Sequence, residues 1–226
     1  SLWDKITMQL KDIKRVHVSK MTGKLLGLKA ISTNTASNKF CIIQNKSKNK
    51  NSICPKCYSH TMLNTYRKNM QASLERNSDL LSNNILNDNQ IDFYNELYIR
   101  YNAHGELINL THLHNLVLIV LKNSNTKFAL WTKRKDFIKK YFDKNNKPTN
   151  LILIYSNPKI NNIINPKDKP IYFDKTFNNV NHDYKKELQN CTGQKCFIDN
   201  CMKCYNHNEY DTIVEAVKFN GRTVKE

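Results

Sequence analysis

Leu151-Ile152-Leu153-Ile154-Tyr155 is an unbroken apolar run, entered through a Pro148 turn and left through the polar Ser156-Asn157. A strand that faces the core on one side alternates apolar with polar residues. A continuous run belongs to a strand covered on both faces, as in a parallel sheet. Working outward, Phe128-Ala129-Leu130-Trp131 reads as a second strand, with a short helix over 136–143 between the two. Further upstream, from Phe93, Leu97, Ile99 and Tyr101 alternate with Tyr98 and Arg100 as a strand would, and Asn109 or Thr111 can cap a helix through about Asn123. Strand, helix, strand, helix, strand with short joints predicts an α/β fold: a parallel sheet with crossover helices, extended here to a partial (β/α) barrel. Ile171-Tyr172-Phe173 is a weaker candidate strand.

Toward the N-terminus the periods change. Leu2, Trp3, Ile6, Leu10 and Ile13 recur at three and four, which predicts a short amphipathic helix, and a strand is expected through Ala30-Ile31. Met62, Tyr66, Met70 and Leu74 form a four-residue stripe, so one helix is expected from Tyr58 to about Asn83, with that stripe in the core. Three regions follow: a basic N-terminal helix and arm over 1–30, an α/β core over 31–185, and a cysteine-rich, metal-binding tail over 186–226.

The 226 residues suffice for one ample domain, and they carry a formal net charge of +17. Residues 1–60 hold twelve Lys or Arg against two Asp, so the excess is concentrated there. A basic block of this kind meets phosphate, with nucleic acid as the expected partner. Lys46, Lys48 and Lys50 lie in a polar loop that could project toward it, and Lys133-Arg134, just after a strand, could hold a phosphate or carboxylate. No stretch reaches the roughly 20 apolar residues that cross a bilayer, and the N-terminus lacks the apolar segment of a secretory signal. No membrane partner is expected.

The seven cysteines fall into two knots. Cys41, Cys54 and Cys57 form C-x12-C-x2-C, and Cys191, Cys196, Cys201 and Cys204 form C-x4-C-x4-C-x2-C. An odd number in tight clusters suits metal better than a disulfide framework, and places the chain in a reducing cytoplasm. Four clustered thiolates satisfy a tetrahedral zinc or a [4Fe-4S] cube, and spacing does not choose between them. Three thiolates leave one iron of a cube open, whereas His60 could complete a zinc site.

At the carboxyl ends of the expected strands stand His104-Gly105-Glu106, Thr132-Lys133-Arg134 and Tyr155-Ser156-Asn157, where the working groups of such sheets gather. Glu106 and His104 are the candidate catalytic residues. His112-Leu113-His114 raises a different possibility, the divalent-metal pair of a single-strand nickase. That pair requires a strand, and the residues around it read as a helix start, where neighbours two apart diverge by about 200°.

From Cys54-Pro-Lys-Cys57-Tyr58, through Tyr66, Arg67 and Asn69, Gly105-Glu106, 128–134, 150–156, and Cys196 to Cys204-Tyr205, the order resembles the phage gene-product-88 family over roughly residues 25–207. That resemblance implies a mobile-element protein in a bacterial host. More distantly, the chain is similar to radical S-adenosylmethionine enzymes. This likeness implies a cube on Cys41, Cys54 and Cys57, a cofactor met by Tyr58, Gly105 and Glu106, and an auxiliary cluster on the tail. The leading expectation is an iron–sulfur protein that binds or modifies nucleic acid. The alternatives are a non-enzymatic zinc-stabilised nucleic-acid-binding module and the nickase.

Overall fold

The computed structural model describes residues 1–11, 13–191, 193–207 and 210–217. Helix α1 (Leu2–Lys11) precedes two short strands, β1 (Ser19–Lys20) and β2 (Lys29–Ile31). Helices α2 (Lys39–Asn45), α3 (Tyr58–Asn64) and α4 (Gln71–Asn83) lead to β3 (Tyr98–Tyr101). Then α5 (Leu110–Lys122), β4 (Lys127–Thr132), α6 (Lys135–Phe142), β5 (Leu151–Ile160), β6 (Lys175–Val180) and β7 (Thr212–Ala216) complete the order. Among the described residues seven strands form one sheet in sequential order; β1 is antiparallel to β2, and every other neighbour is parallel.

The parallel register explains the apolar runs. Phe128, Leu130, Leu151 and Leu153 face Leu113, Leu116, Val120 and Ile138 of the helices, whereas Ala129, Trp131, Ile152 and Ile154 face Met202 and Tyr205 of the tail. Both faces of β4 and β5 are therefore buried, as their unbroken hydrophobicity predicts, and each fully buried Leu or Ile contributes about 1.5–3 kcal/mol. Asn109, not Thr111, caps α5: its side-chain oxygen accepts from the His112 N–H at 2.8 Å.

Several expectations need correction. Ile171-Tyr172-Phe173 is a turn, closed by the Phe173 N–H on the Pro170 carbonyl, and the strand lies further on at β6. The single helix expected after Tyr58 breaks at Thr65 (φ −124°, ψ −101°), which leaves Tyr66 67% exposed rather than in the core. Residues 1–30 include two strands of the sheet, not only an arm, and the 186–226 stretch supplies β7. Its last nine residues, 218–226, lie outside the described residues. Among the described residues no ladder joins β7 back to β1 or β2, so the sheet is open rather than a closed barrel. Its two ends are nonetheless linked by side chains: Lys24, in the β1–β2 loop, pairs with Glu215 on β7. No helix among the described residues is long and apolar enough to cross a membrane.

Candidate functional site

The loops leaving β2 and β3 are joined by a buried polar network. The Thr33 N–H donates to the His104 carbonyl at 3.2 Å, the His104 N–H to Ser32 Oγ at 3.2 Å, and the Gly105 N–H to Thr35 Oγ1 at 2.8 Å. Ser59 Oγ on α3 lies 2.7 Å from Thr35 Oγ1 and 2.8 Å from His104 Nδ1. Burial, aided by the Arg100 charge, lowers the His104 pKa to about 4, so the ring is neutral at pH 7. Gly105 is obligatory: at φ +83° a Cβ would stand 2.7 Å from the Thr33 carbonyl oxygen. The sequence reading assigns His104 to catalysis and Gly105 to a cofactor; here both build the turn beneath the edge.

Glu106 is 4% exposed and its carboxylate is occupied from within the chain. Oε1 accepts from the Leu107 N–H at 2.8 Å and from the Thr132 hydroxyl, and Oε2 accepts from the Lys133 N–H at 2.8 Å. Burial raises its pKa although these bonds and the Lys133 charge favour ionisation. Glu106 thus ties the end of β3 to the end of β4.

Three thiols stand on the two segments that adjoin that tie. Cys41 stands in the first turn of α2, whose cap Asn38 accepts from the Cys41 N–H at 3.1 Å and donates to the Glu106 carbonyl at 3.0 Å. Cys54 opens a single 3₁₀ turn closed by Cys57 N–H on its carbonyl at 3.1 Å, and Cys57 stands at the N-terminus of α3. Burial raises the Cys41 pKa, reinforced by Glu106 and Cys57 and opposed by Lys133; burial likewise raises that of Cys54. Burial alone would lower the Lys133 pKa, but Cys54, Glu106, Cys57 and Cys41 together raise it. The three thiols are thus within electrostatic reach of the Lys133 ammonium, which itself donates to Ser156 Oγ at 3.0 Å.

Lys133 therefore turns inward, not toward a phosphate outside. Arg134 is also engaged: it forks onto Asp136 at 3.0 and 2.7 Å and stacks 3.6 Å over Phe137. Lys46, Lys48 and Lys50 are exposed. Tyr58 donates to the Ala103 carbonyl at 3.3 Å with its ring 48% exposed. His112 and His114 both lie on α5, as the helical reading expects. His112 Nδ1 accepts from the Ile108 N–H at 3.2 Å, while His114 Nδ1 meets the Tyr141 hydroxyl at 2.7 Å. Each ring is thus committed to a different neighbour.

A family model described as gene product 88 matches residues 9–209. The chain belongs to the gene product 88 family. No curated protein and no solved structure matches, and neither comparison adds support to the distant radical S-adenosylmethionine likeness.

In this gene product 88 chain the tail cysteines Cys196 and Cys204 pack on the second face of the sheet. Cys191 pairs alongside β7, with its N–H on the Val214 carbonyl and its Sγ accepting from Lys24 Nζ at 3.3 Å. The Cys196 N–H donates to the Lys24 carbonyl at 2.9 Å, and the Cys196 carbonyl accepts from the Cys201 N–H at 3.0 Å. Positive φ at Asn200 (52°) and Met202 (43°) folds the segment so that Cys196 and Cys204 pack beside Trp131 and Tyr205. Burial raises the pKa of Cys191, Cys196 and Cys204. All seven cysteines are free thiols, and among the described residues no three Cys, His, Asp or Glu side chains already stand as a metal-ligating group. Sequence reasoning missed Arg100. Its signal was a charged residue on a strand flanked by apolar neighbours.

Proposed function

We propose that this chain is an iron–sulfur protein of a phage or mobile element that binds or modifies nucleic acid, with Cys41, Cys54 and Cys57 holding a [4Fe-4S] cluster. The observation that carries this reading is the placement of those three cysteines on two adjoining segments, bonded to each other through Asn45 on the Cys54 carbonyl and to the carboxyl edge of the parallel sheet through Asn38 on the Glu106 carbonyl. Three thiolates are a soft donor set that leaves one iron open, and a fixed ammonium offsets their negative charge. A bound cluster supplies one-electron chemistry. The sequential strand order and the Lys24–Glu215 link support a partial (β/α) barrel around it.

S-adenosylmethionine is the co-substrate that the distant resemblance implies, and Tyr58 and Gly105 border the edge where it would bind. Three acceptor positions of Glu106 are filled by the chain itself, so its part is to hold the Lys133 backbone in place rather than to grip a cofactor. Cys191, Cys196, Cys201 and Cys204 are proposed to hold a second metal, and the exposed Lys46, Lys48 and Lys50 to contact phosphates.

The test is protein purified without oxygen, examined by visible absorption and metal analysis. A band near about 400 nm with iron, lost in a Cys41→Ala/Cys54→Ala/Cys57→Ala variant, supports the reading. One zinc per chain and no iron, from iron-replete cells, overturns it. That outcome favours the zinc-stabilised binding module, whose specific support is the packing of the tail loop under β4 and β5.

A further inference from the structure

Arg100 stands on β3, the third of seven strands, and shares the second face with Tyr98, while Ile99 and Tyr101 turn to the helices. Its guanidinium carbon lies 3.9 Å from the centre of the Trp131 ring. Among the described residues it forms no ion pair and donates no hydrogen bond, and its Nε is sealed from solvent without an acceptor. Trp131 Nε1 and Tyr205 Oη are buried without partners in the same cluster, with their rings 5.8 Å apart. A half-buried guanidinium on a central strand is costly unless an anion meets it.

Arg100 is within electrostatic reach of residues beside both cysteine sets. Its charge acts on Tyr58 and His104 toward the carboxyl edge, and on Cys196, Cys204 and Tyr205 toward the tail. Glu215, which also acts on Tyr58, is engaged by Lys24. Ser156 and Phe177, paired across β5 and β6, are half-buried, the Phe177 ring lies 6.3 Å from that of Trp131, and the Tyr58 ring is exposed.

We infer that Arg100 anchors an oxyanion, the carboxylate or phosphate of a small-molecule ligand, on the second face of the sheet, with Trp131 as the platform beneath the guanidinium. The planar fork grips two oxygens of such a group at once, which a lysine would not do. Phe177 and Tyr58 offer aromatic faces to a ring carried by the same ligand. That the bound molecule reacts at the Cys41–Cys54–Cys57 end rests on the proposed function; the binding itself does not.

The chain has two tryptophans, Trp3 and Trp131, so Trp3→Phe leaves Trp131 as the sole reporter. The full-length Trp3→Phe protein, with its iron and zinc measured, is titrated with inorganic phosphate, AMP and acetate at constant ionic strength against chloride. The expected result is a saturable change in Trp131 emission with at least one oxyanion and none with chloride. Arg100→Gln is expected to weaken that binding by about tenfold or more, and Arg100→Lys by several-fold. AMP binding tighter than phosphate identifies a ring-bearing phosphate ligand, and acetate alone identifies a carboxylate.

No saturable response to any of the three overturns the inference, as does a response unchanged in Arg100→Gln. Loss of tail metal in Arg100→Gln without oxyanion binding in the parent also overturns it, because the guanidinium then serves the thiolates. If Arg100→Gln does not fold, the parent and Arg100→Lys titrations decide. Protein purified without oxygen from iron-replete cells that holds zinc and no iron yet binds an oxyanion through Arg100 overturns the proposed function alone; iron-loaded protein that binds none overturns this inference alone.

Discussion

Replacing Glu106 by Gln separates a structural tie from a cofactor ligand. The carboxylate accepts two backbone N–H groups, from Leu107 and Lys133, each at 2.8 Å, and the Thr132 hydroxyl. An amide has one oxygen. Placed with its NH2 at the Oε2 position it faces the Lys133 N–H donor to donor. Placed the other way it can donate to Thr132 Oγ1, but it orphans the Leu107 N–H. Either orientation leaves one buried N–H without an acceptor, at a cost of about 1–3 kcal/mol. For a chain of this size about 2 kcal/mol lowers the melting temperature by roughly 4–8 °C. Glu106→Ala orphans all three donors and is expected to cost more than Glu106→Gln. The assay is thermal and urea denaturation followed by far-ultraviolet circular dichroism, at matched metal content. A Glu106→Gln protein within about 0.5 kcal/mol of the parent refutes the tie, since that is the scatter of unconnected surface changes.

Other expectations follow from single residues. Gly105→Ala combines a left-handed backbone at φ +83° with a Cβ 2.7 Å from the Thr33 carbonyl; a loss of more than about 2 kcal/mol is expected in the same denaturation assay, and a neutral result contradicts it. Burial depresses the His112 pKa to about 3 and the His104 pKa to about 4, so both are neutral when folded but charge readily when unfolded. The stability they contribute is present above the ordinary histidine value and lost as pH falls from about 6.5 toward 4, by up to about 1.4 kcal/mol per pH unit each. His112→Asn should flatten that decline in urea midpoints measured across the range; an equally steep decline would count against it. If Lys46, Lys48 and Lys50 contact DNA phosphates, replacing all three by Ala should reduce the slope of log affinity against log salt by up to about 2.7. An unchanged slope removes the loop from the interface.

Where apolar periodicity and burial agree, the sequence was legible. β4, β5 and α5 stood out because both strands are covered on two faces and Asn109 caps the helix. β6 was invisible because Lys175-Thr176-Phe177-Asn178-Asn179-Val180 is polar by composition, yet Lys175, Thr176 and Asn178 are almost fully buried. Side-chain bonds make that tolerable: Asn178 donates to Thr176 and to the Ile213 carbonyl, and Lys175 to the Tyr210 carbonyl. Such pairings depend on residues far along the chain, so no local window reveals them. Tyr66 misled in the opposite sense, continuing a stripe past a helix break at Thr65. At the edge, Cys41, Cys54, Cys57 and Glu106 were singled out from residue type and position. The inward turn of Lys133 and the isolation of Arg100 follow only from the surrounding side chains.

The sequential order of β2 to β7 has a consequence for how the chain is assembled. Each parallel strand docks on the one just made, so the sheet can grow in the order of synthesis from contacts of modest sequence separation. Contacts of the tail are the exceptions, among them the clasp between Lys24 and Glu215, 191 residues apart, with Lys24 also reaching Cys191 across 167. Until β7 arrives, β6 offers an unpaired edge and Lys24 lacks its counter-charge, so a nascent or truncated chain exposes a template for pairing with another copy. A chain truncated before Thr212 is therefore expected to keep most of the sheet and to aggregate through the exposed β6 edge.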